Sequence, residues 1–165
     1  NAAGSPQGRS FAINNVNYLF TPAIDLERSK AEIIELKKQA AEENKEVGVL
    51  TFSHVICRPT EEEALAEKKR VLDNIDEAAV NNLVNLQFAH AHSFPHDLLS
   101  QITESMALGH GGFQLVGTPL QVADKICALH DAGFGGTTLS FLDYVKEFPY
   151  FRDNVLPILA ERGIR

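Results

Sequence analysis

The feature that most constrains this chain is the spacing of its β-type runs. Three stretches have strand character: residues 17–21 ("NYLFT"), 47–57 ("VGVLTFSHVIC") and 137–141 ("TTLSF"). Amphipathic helical segments separate them. A chain that returns through a helix pairs its next strand parallel to the last, because a tight hairpin turn is no longer available. The order α, β, α, β, several α, β, α therefore implies an α/β fold with a parallel sheet. Parallel strands are covered on both faces and want a neighbour on each edge, so three of them make an incomplete sheet. A doubly wound sheet would need a further strand. A (β/α)8 barrel would need a first half, since whole barrels take about 250 residues and this chain has 165. The count predicts a fragment, or a partner that completes the sheet.

Helix boundaries are marked by their caps. Ser5 is a good N-cap ahead of Pro6, opening a helix to about Asn15. Asp25 caps a longer one to about Asn44, with Leu26, Ile33, Leu36 and Ala40 on one stripe. Thr60 with Glu63 forms a capping box, and the helical region behind it runs past Leu86 with a break near Val80. Residues 91–97 read as a loop broken by Pro95, followed by a short helix over 96–106 and a flexible "GHGG" loop at 109–112. Thr118 with Gln121 gives a second capping box, whose helix turns Val122, Ala123, Ile126 and Leu129 inward and ends at Gly133. Helical turns over 143–162 close the chain.

Charge narrows the partners. A net charge of −7 argues against a nucleic-acid surface and against a polybasic membrane contact. No apolar run reaches the roughly 20 residues of a membrane span, and no signal-peptide pattern or initiator Met opens the sequence. Cys57 and Cys127 stand apart without a motif and read as reduced thiols of a cytoplasmic protein. His90, His92 and His96 do not share a helix face and lack completing ligands, so no metal site is expected. His54 lies within the strongest strand, either facing a site or simply buried, and His110 sits between glycines. Ser140, His130 and Asp131 lack a nucleophile elbow, and His130 and Asp131 point apart on a helix, so a hydrolase triad is set aside. Glu61, Glu62 and Glu63 fill a first helical turn, where negative charge stabilises the helix.

The opening "NAAGSPQGRSFA" is the stretch with chemistry in it. A helix start offers unpaired N–H groups and the positive end of the macrodipole, which suit an anion. Gly4 and Gly8 have no Cβ to hold a ligand off, and Ser5 adds a hydroxyl. The other reading is a plain serine cap without a ligand. Arg9 either contacts the same anion or is a solvated surface side chain.

Several segments in collinear order, "AAGSPQGRSFA", "YLFT", "VGVLTFSHVICRPTEEEA", "FPHDLL", "LVGTPLQVADKICALHDAGFGGTTLSF" and "EFPYFRDNVLPIL", resemble the bacterial-luciferase-like, FMN-dependent monooxygenases. Within that family the pattern is closest to the dimethylsulfone and pyrimidine monooxygenases. The resemblance implies the C-terminal half of a (β/α)8 barrel, beginning just after strand five. Residues 17–21, 47–57 and 137–141 match strands six, seven and eight, and a helical insertion lies between the last two. It implies reduced FMN supplied by a separate flavin reductase, O2 as co-substrate and oxygenation of a small organic molecule. Ala3, Gly4, Ser5 and Gly8 match the loop that holds the FMN phosphate. Ser140 and Phe141 end strand eight, where barrel active sites are built, and are expected to line the substrate pocket, with core packing the alternative for Phe141. A deazaflavin is the variant cofactor. The competing reading is a truncated, non-catalytic module that binds a phosphate-bearing ligand or self-associates through open sheet edges, giving a homo-oligomer.

Overall fold

The structure, a computed structural model, describes residues 1–87 and 96–164. Along them run α1 (Pro6–Asn15), β1 (Tyr18–Phe20), α2 (Leu26–Glu42), β2 (Gly48–Cys57), α3 (Glu61–Leu72) and α4 (Glu77–Gln87). They continue as α5 (His96–Gly109), β3 (Phe113–Gly117), α6 (Pro119–Asp131), β4 (Gly136–Ser140), α7 (Tyr144–Asn154) and α8 (Leu156–Glu161). The caps are those the sequence marks. Ser5 Oγ accepts the Gly8 N–H, Asp25 caps α2, and both Thr60–Glu63 and Thr118–Gln121 form complete capping boxes.

All strand pairs are parallel, and the ten-residue β2 is their common partner. Leu50 is in register with Phe20 of β1 and with Gly136 of β4, while His54 is in register with Gln114 of β3 and with Ser140 of β4. A strand residue has one neighbour per edge, so β1 and β3 lie end to end along one edge of β2 and β4 lies along the other. The backbone bonds agree. Gly48 N–H donates to Asn17 and Arg58 N–H to Gly117 on the first edge, whereas Val49 accepts from Gly135 on the second.

Two expectations need correcting. The sequence count of three strands is one short, because 113–117 forms β3 on the second half of β2. The break in the helical region falls between α3 and α4, not near Val80, which is buried inside α4; Asp76 Oδ1 accepts the Ala79 N–H at 2.9 Å and starts that helix. The 109–112 stretch joins α5 to β3 through a turn, in which His110 N–H donates to Met106 and Gly112 N–H to Gly109, each at 3.1 Å. His90, His92 and most of the loop expected at 91–97 lie outside the described residues.

Alternation along β2 sorts the core. Val49, Val55 and Cys57 face α1, α2, α6, α7 and α8, packing with Ile33, Leu36 and Phe134 at one end and with Val122, Phe151 and Leu159 at the other. Phe52, His54 and Ile56 occupy the opposite face. Its C-terminal end is covered by α3 and α5, with Ala64 and Leu108 on Ile56 and Val116. Further down, Tyr18 and Thr138 on this same face are exposed. Helices α4 and α5 bury Val80, Val84, Ile102 and Met106 between themselves.

Candidate functional site

The segment ahead of α1 hangs from the end of β1. Ala2 bridges Phe20 in parallel, Ala3 N–H donates to the Phe20 carbonyl at 3.0 Å, and Phe20 N–H donates to Asn1 at 2.7 Å. The chain then turns outward, so that Gly4 and Ser5 are exposed. Among the described residues no acceptor takes the N–H of Gly4, Ser5 or Gln7. Ser5 Oγ accepts from Gly8 N–H at 3.1 Å, which leaves its own proton free to donate.

The two glycines differ in purpose. A Cβ on Gly4 would meet nothing within 4 Å, so the fold itself places no demand for glycine there. A Cβ on Gly8 would overlap the Ala3 side chain, so Gly8 serves the close packing of helix against loop. Arg9 is not a solvated surface side chain. Its Nη2 donates to the Gly4 carbonyl at 2.8 Å and its Nη1 pairs with Glu32 at 3.0 Å, tying the loop to α2. In a trans peptide the carbonyl and the following N–H point opposite ways. By holding the Gly4 oxygen, Arg9 turns the Ser5 N–H away from itself.

Ala2, Ala3 and Gly4 form one wall of a cavity of about 440 Å³ at the C-terminal ends of β1 and the loop. Phe20 and Phe52 form its floor, stacked at 5.8 Å with planes 15° apart, an arrangement that contributes about 1 kcal/mol beyond burial. Helix α5 supplies Ile102, Ser105 and Met106 opposite, and the turn after it supplies His110 and Gly111. A second cleft, of about 570 Å³, separates α3 from α7. Its cations are matched in place, Arg58 to Glu147 at 2.5 Å and to Glu67 at 3.3 Å, and Lys146 to Asp143 at 3.0 Å.

Ser140 and Phe141 stand apart from the first cavity. The Phe141 ring is buried against Phe151, Tyr144 and Phe148, so its surface is used in packing. The Ser140 hydroxyl donates to the Ser53 carbonyl at 3.2 Å and accepts from His54 Nδ1 at 3.0 Å. That assignment puts the imidazole proton on Nδ1 and leaves Nε2 as a buried acceptor without a partner among the described residues. Burial holds the His54 pKa below its ordinary value against the smaller opposing pull of Glu147, which keeps the ring neutral. Burial likewise pushes the Cys57 thiol up to about 11. The contributions of α4 and α5 to the cavity escape sequence reasoning, because helical periodicity marks Ile102 and Met106 as core without saying which sheet residues they face.

A parallel sheet with helices along one face, its other face covered by α3 and α5 only at the C-terminal end, and a cavity at its strand ends, has the architecture of a partial β/α barrel. A sequence profile of the luciferase-like monooxygenases matches residues 1–136, and the chain belongs to that family. The FMNH(2)-dependent dimethylsulfone monooxygenases of Pseudomonas fluorescens (strain Pf0-1) and Pseudomonas putida are each 30% identical to it over 162 residues, covering 95% of this chain and 44% and 45% of their own lengths. The solved structure of DmoA from Hyphomicrobium sulfonivorans superposes with a TM-score of 0.83 at 20% identity, over 99% of this chain and 41% of that one. The chain thus spans less than half the length of the relatives it matches. Its fold is one half of a (β/α)8 barrel, in which β1, β2 and β4 are barrel strands and α3 to α5 with β3 form the insertion before the last of them.

Proposed function

We propose that this chain carries the FMN-phosphate cradle and one wall of the substrate site of a flavin-dependent monooxygenase that oxygenates a small organic molecule. The observation that carries the reading is Gly4. Open space surrounds its missing Cβ, unpaired N–H groups flank it, and a large cavity begins at its side. These residues fit the group. The N–H groups of Gly4, Ser5 and Gln7 and the Ser5 hydroxyl are the donors that would hold the phosphate, at the positive end of the ten-residue α1. Ala3 lines the cavity and fixes the loop to β1, and Gly8 supports it from behind.

Reduced FMN, when bound, supplies the electrons with which O2 oxygenates the substrate. The work of these residues is to seat the phosphate, orient the cofactor through it and cover the strand ends against water. The 30% identity to two FMNH(2)-dependent enzymes supports FMN over a deazaflavin and supports delivery by a separate flavin reductase. Ser140, bonded to His54 and to the Ser53 carbonyl, has a structural part in this reading, tying β4 to β2.

Titration with FMN and with riboflavin tests the cradle. FMN is expected to bind at least about tenfold tighter, a difference of roughly 1.4 kcal/mol. Equal affinities would remove the reading. The alternative, a non-catalytic module that self-associates, is favoured by β4, which pairs only with β2 among the described residues and leaves one edge free. Sedimentation showing a concentration-dependent oligomer without any phosphate preference would select it.

A further inference from the structure

The turn between α5 and β3 holds glycines that the fold explains and a histidine that it does not. A Cβ on Gly109 would come within 2.5 Å of the His54 side chain, and a Cβ on Gly112 within 3.1 Å of the Phe52 ring and 3.2 Å of the His54 nitrogen. These two glycines let the turn sit directly on β2. Between them His110 adopts φ +54°, the left-handed region where glycine is the favoured residue at a helix end and asparagine the usual substitute. Packing does not ask for a histidine there. The residue is exposed, and its side chain has one partner among the described residues, Gln87 at the end of α4.

That partner fixes where the ring proton sits. His110 Nε2 lies 3.3 Å from Gln87 Nε2. An amide nitrogen only donates, so the ring nitrogen accepts and the imidazole proton is on Nδ1. No acceptor among the described residues takes it. The backbone that carries the ring is also held. His110 N–H donates to Met106, Gly111 N–H donates to Ser105 at 3.0 Å, and Ser105 Oγ donates to the Gly112 carbonyl at 3.0 Å. A donor already fixed in this way loses little freedom when it meets a ligand. His110 lines the cavity whose other wall is Ala2, Ala3 and Gly4. The floor between them is two side chains wide: Phe20, whose carbonyl accepts from Ala3, and Phe52, beneath Gly111 and Gly112, with ring centroids 5.8 Å apart.

We propose that His110 is an FMN ligand contributed by the insertion: its Nδ1–H donates to a phosphate oxygen of FMN seated on the Gly4 loop, so that the phosphate is held from two sides. The inference rests on the cradle reading and adds to it a residue that the start of α1 does not contain. A hydrogen bond to an anion is among the stronger kinds, and losing one is expected to weaken FMN by about tenfold.

The experiment titrates the wild type and His110→Gly with FMN and with riboflavin, and follows the His110 ring protons of the wild type by NMR. Glycine suits the backbone at this position, so the melting temperature of His110→Gly is expected to stay close to that of the wild type. Its FMN affinity is expected to fall about tenfold and its riboflavin affinity to hold. The ring protons, identified by their loss in His110→Gly, are expected to shift on adding FMN and to stay in place on adding riboflavin. A preference for FMN that His110→Gly leaves unmoved overturns the inference, and so do ring protons that ignore FMN. A loss of riboflavin affinity as large as that of FMN also overturns it, by placing His110 against the ribityl chain or the flavin ring. If the wild type itself shows no preference for FMN over riboflavin, the underlying cradle reading is lost instead.

Discussion

At the scale of single residues, Gly4, Gly8 and Arg9 separate what the fold needs from what a ligand needs. Alanine at position 8 would ordinarily favour the helix by up to about 1 kcal/mol, but its Cβ would collide with Ala3. The collision is the larger effect, so Gly8→Ala is expected to lower the melting temperature and to shift the loop. Gly4→Ala meets no neighbour, so its melting temperature should stay within a degree or so of wild type, in keeping with a substitution that touches nothing. FMN affinity should nonetheless fall to that of riboflavin; an unchanged FMN preference would show that the open space at Gly4 is incidental. Arg9→Met releases the Gly4 carbonyl and is expected to weaken FMN by roughly tenfold, the equivalent of one charge-assisted hydrogen bond, while riboflavin binding holds. From sequence, Arg9 could only be divided between a phosphate contact and solvent. Its true partners, Gly4 and Glu32, lie on either side of a tertiary contact that no local pattern encodes.

At the scale of elements, the sequence was legible where the signal is local. Ser5, Asp25, Thr60 and Thr118 announce their helices through capping chemistry, and each does cap in the structure. Thr118→Ala removes the acceptor for the Gln121 N–H and is expected to cost about 1 kcal/mol, a loss of a few degrees in thermal melts. No change would mean that the Gln121 side chain, bonded to the Thr118 N–H at 2.9 Å, carries the cap by itself. The fourth strand was not legible. Phe113–Gly117 is five residues between a glycine pair and a helix cap, with no alternation of its own. What makes it a strand is the overhang of β2, whose residues 53–57 extend beyond β1 and need an edge partner there. The break after Leu72 was misplaced for a related reason. Asp76 starts the next helix, and Val80, near which the break was placed, is buried inside it. In the candidate site the glycine-flanked start of α1 was readable from its motif, whereas the cavity walls depend on how α5 sits over Phe20 and Phe52.

At the scale of the whole molecule, stability is concentrated in β2, which has partners on both edges, and on that strand His54 is the polar residue with the most at stake. Its ring is 3% exposed, bonded through Nδ1 to Ser140, and its Nε2 finds no acceptor or donor among the described residues. Burial depresses its pKa below the ordinary 6.5, with Glu147 opposing. The sign follows from proton counting. Below about pH 6.5 the unfolded chain binds a proton at this position that the folded chain refuses, so stability falls as pH drops through that window and levels off only below the folded pKa. The Glu67 carboxyl, held below its ordinary 4.5 chiefly by its hydrogen bonds to Arg70, adds a second loss at more acid pH, and the two are separable for that reason. Urea unfolding of the wild type between pH 7.5 and 5 is expected to show the midpoint declining below about 6.5. His54→Gln keeps a hydrogen-bonding side chain on the strand and removes the titration. It is expected to be less stable at pH 7.5 and to lose most of the decline between 6.5 and 5. A decline of unchanged steepness in that variant would assign the acid sensitivity to other groups and show that the His54 ring accepts its second proton in the folded protein as readily as in the unfolded one.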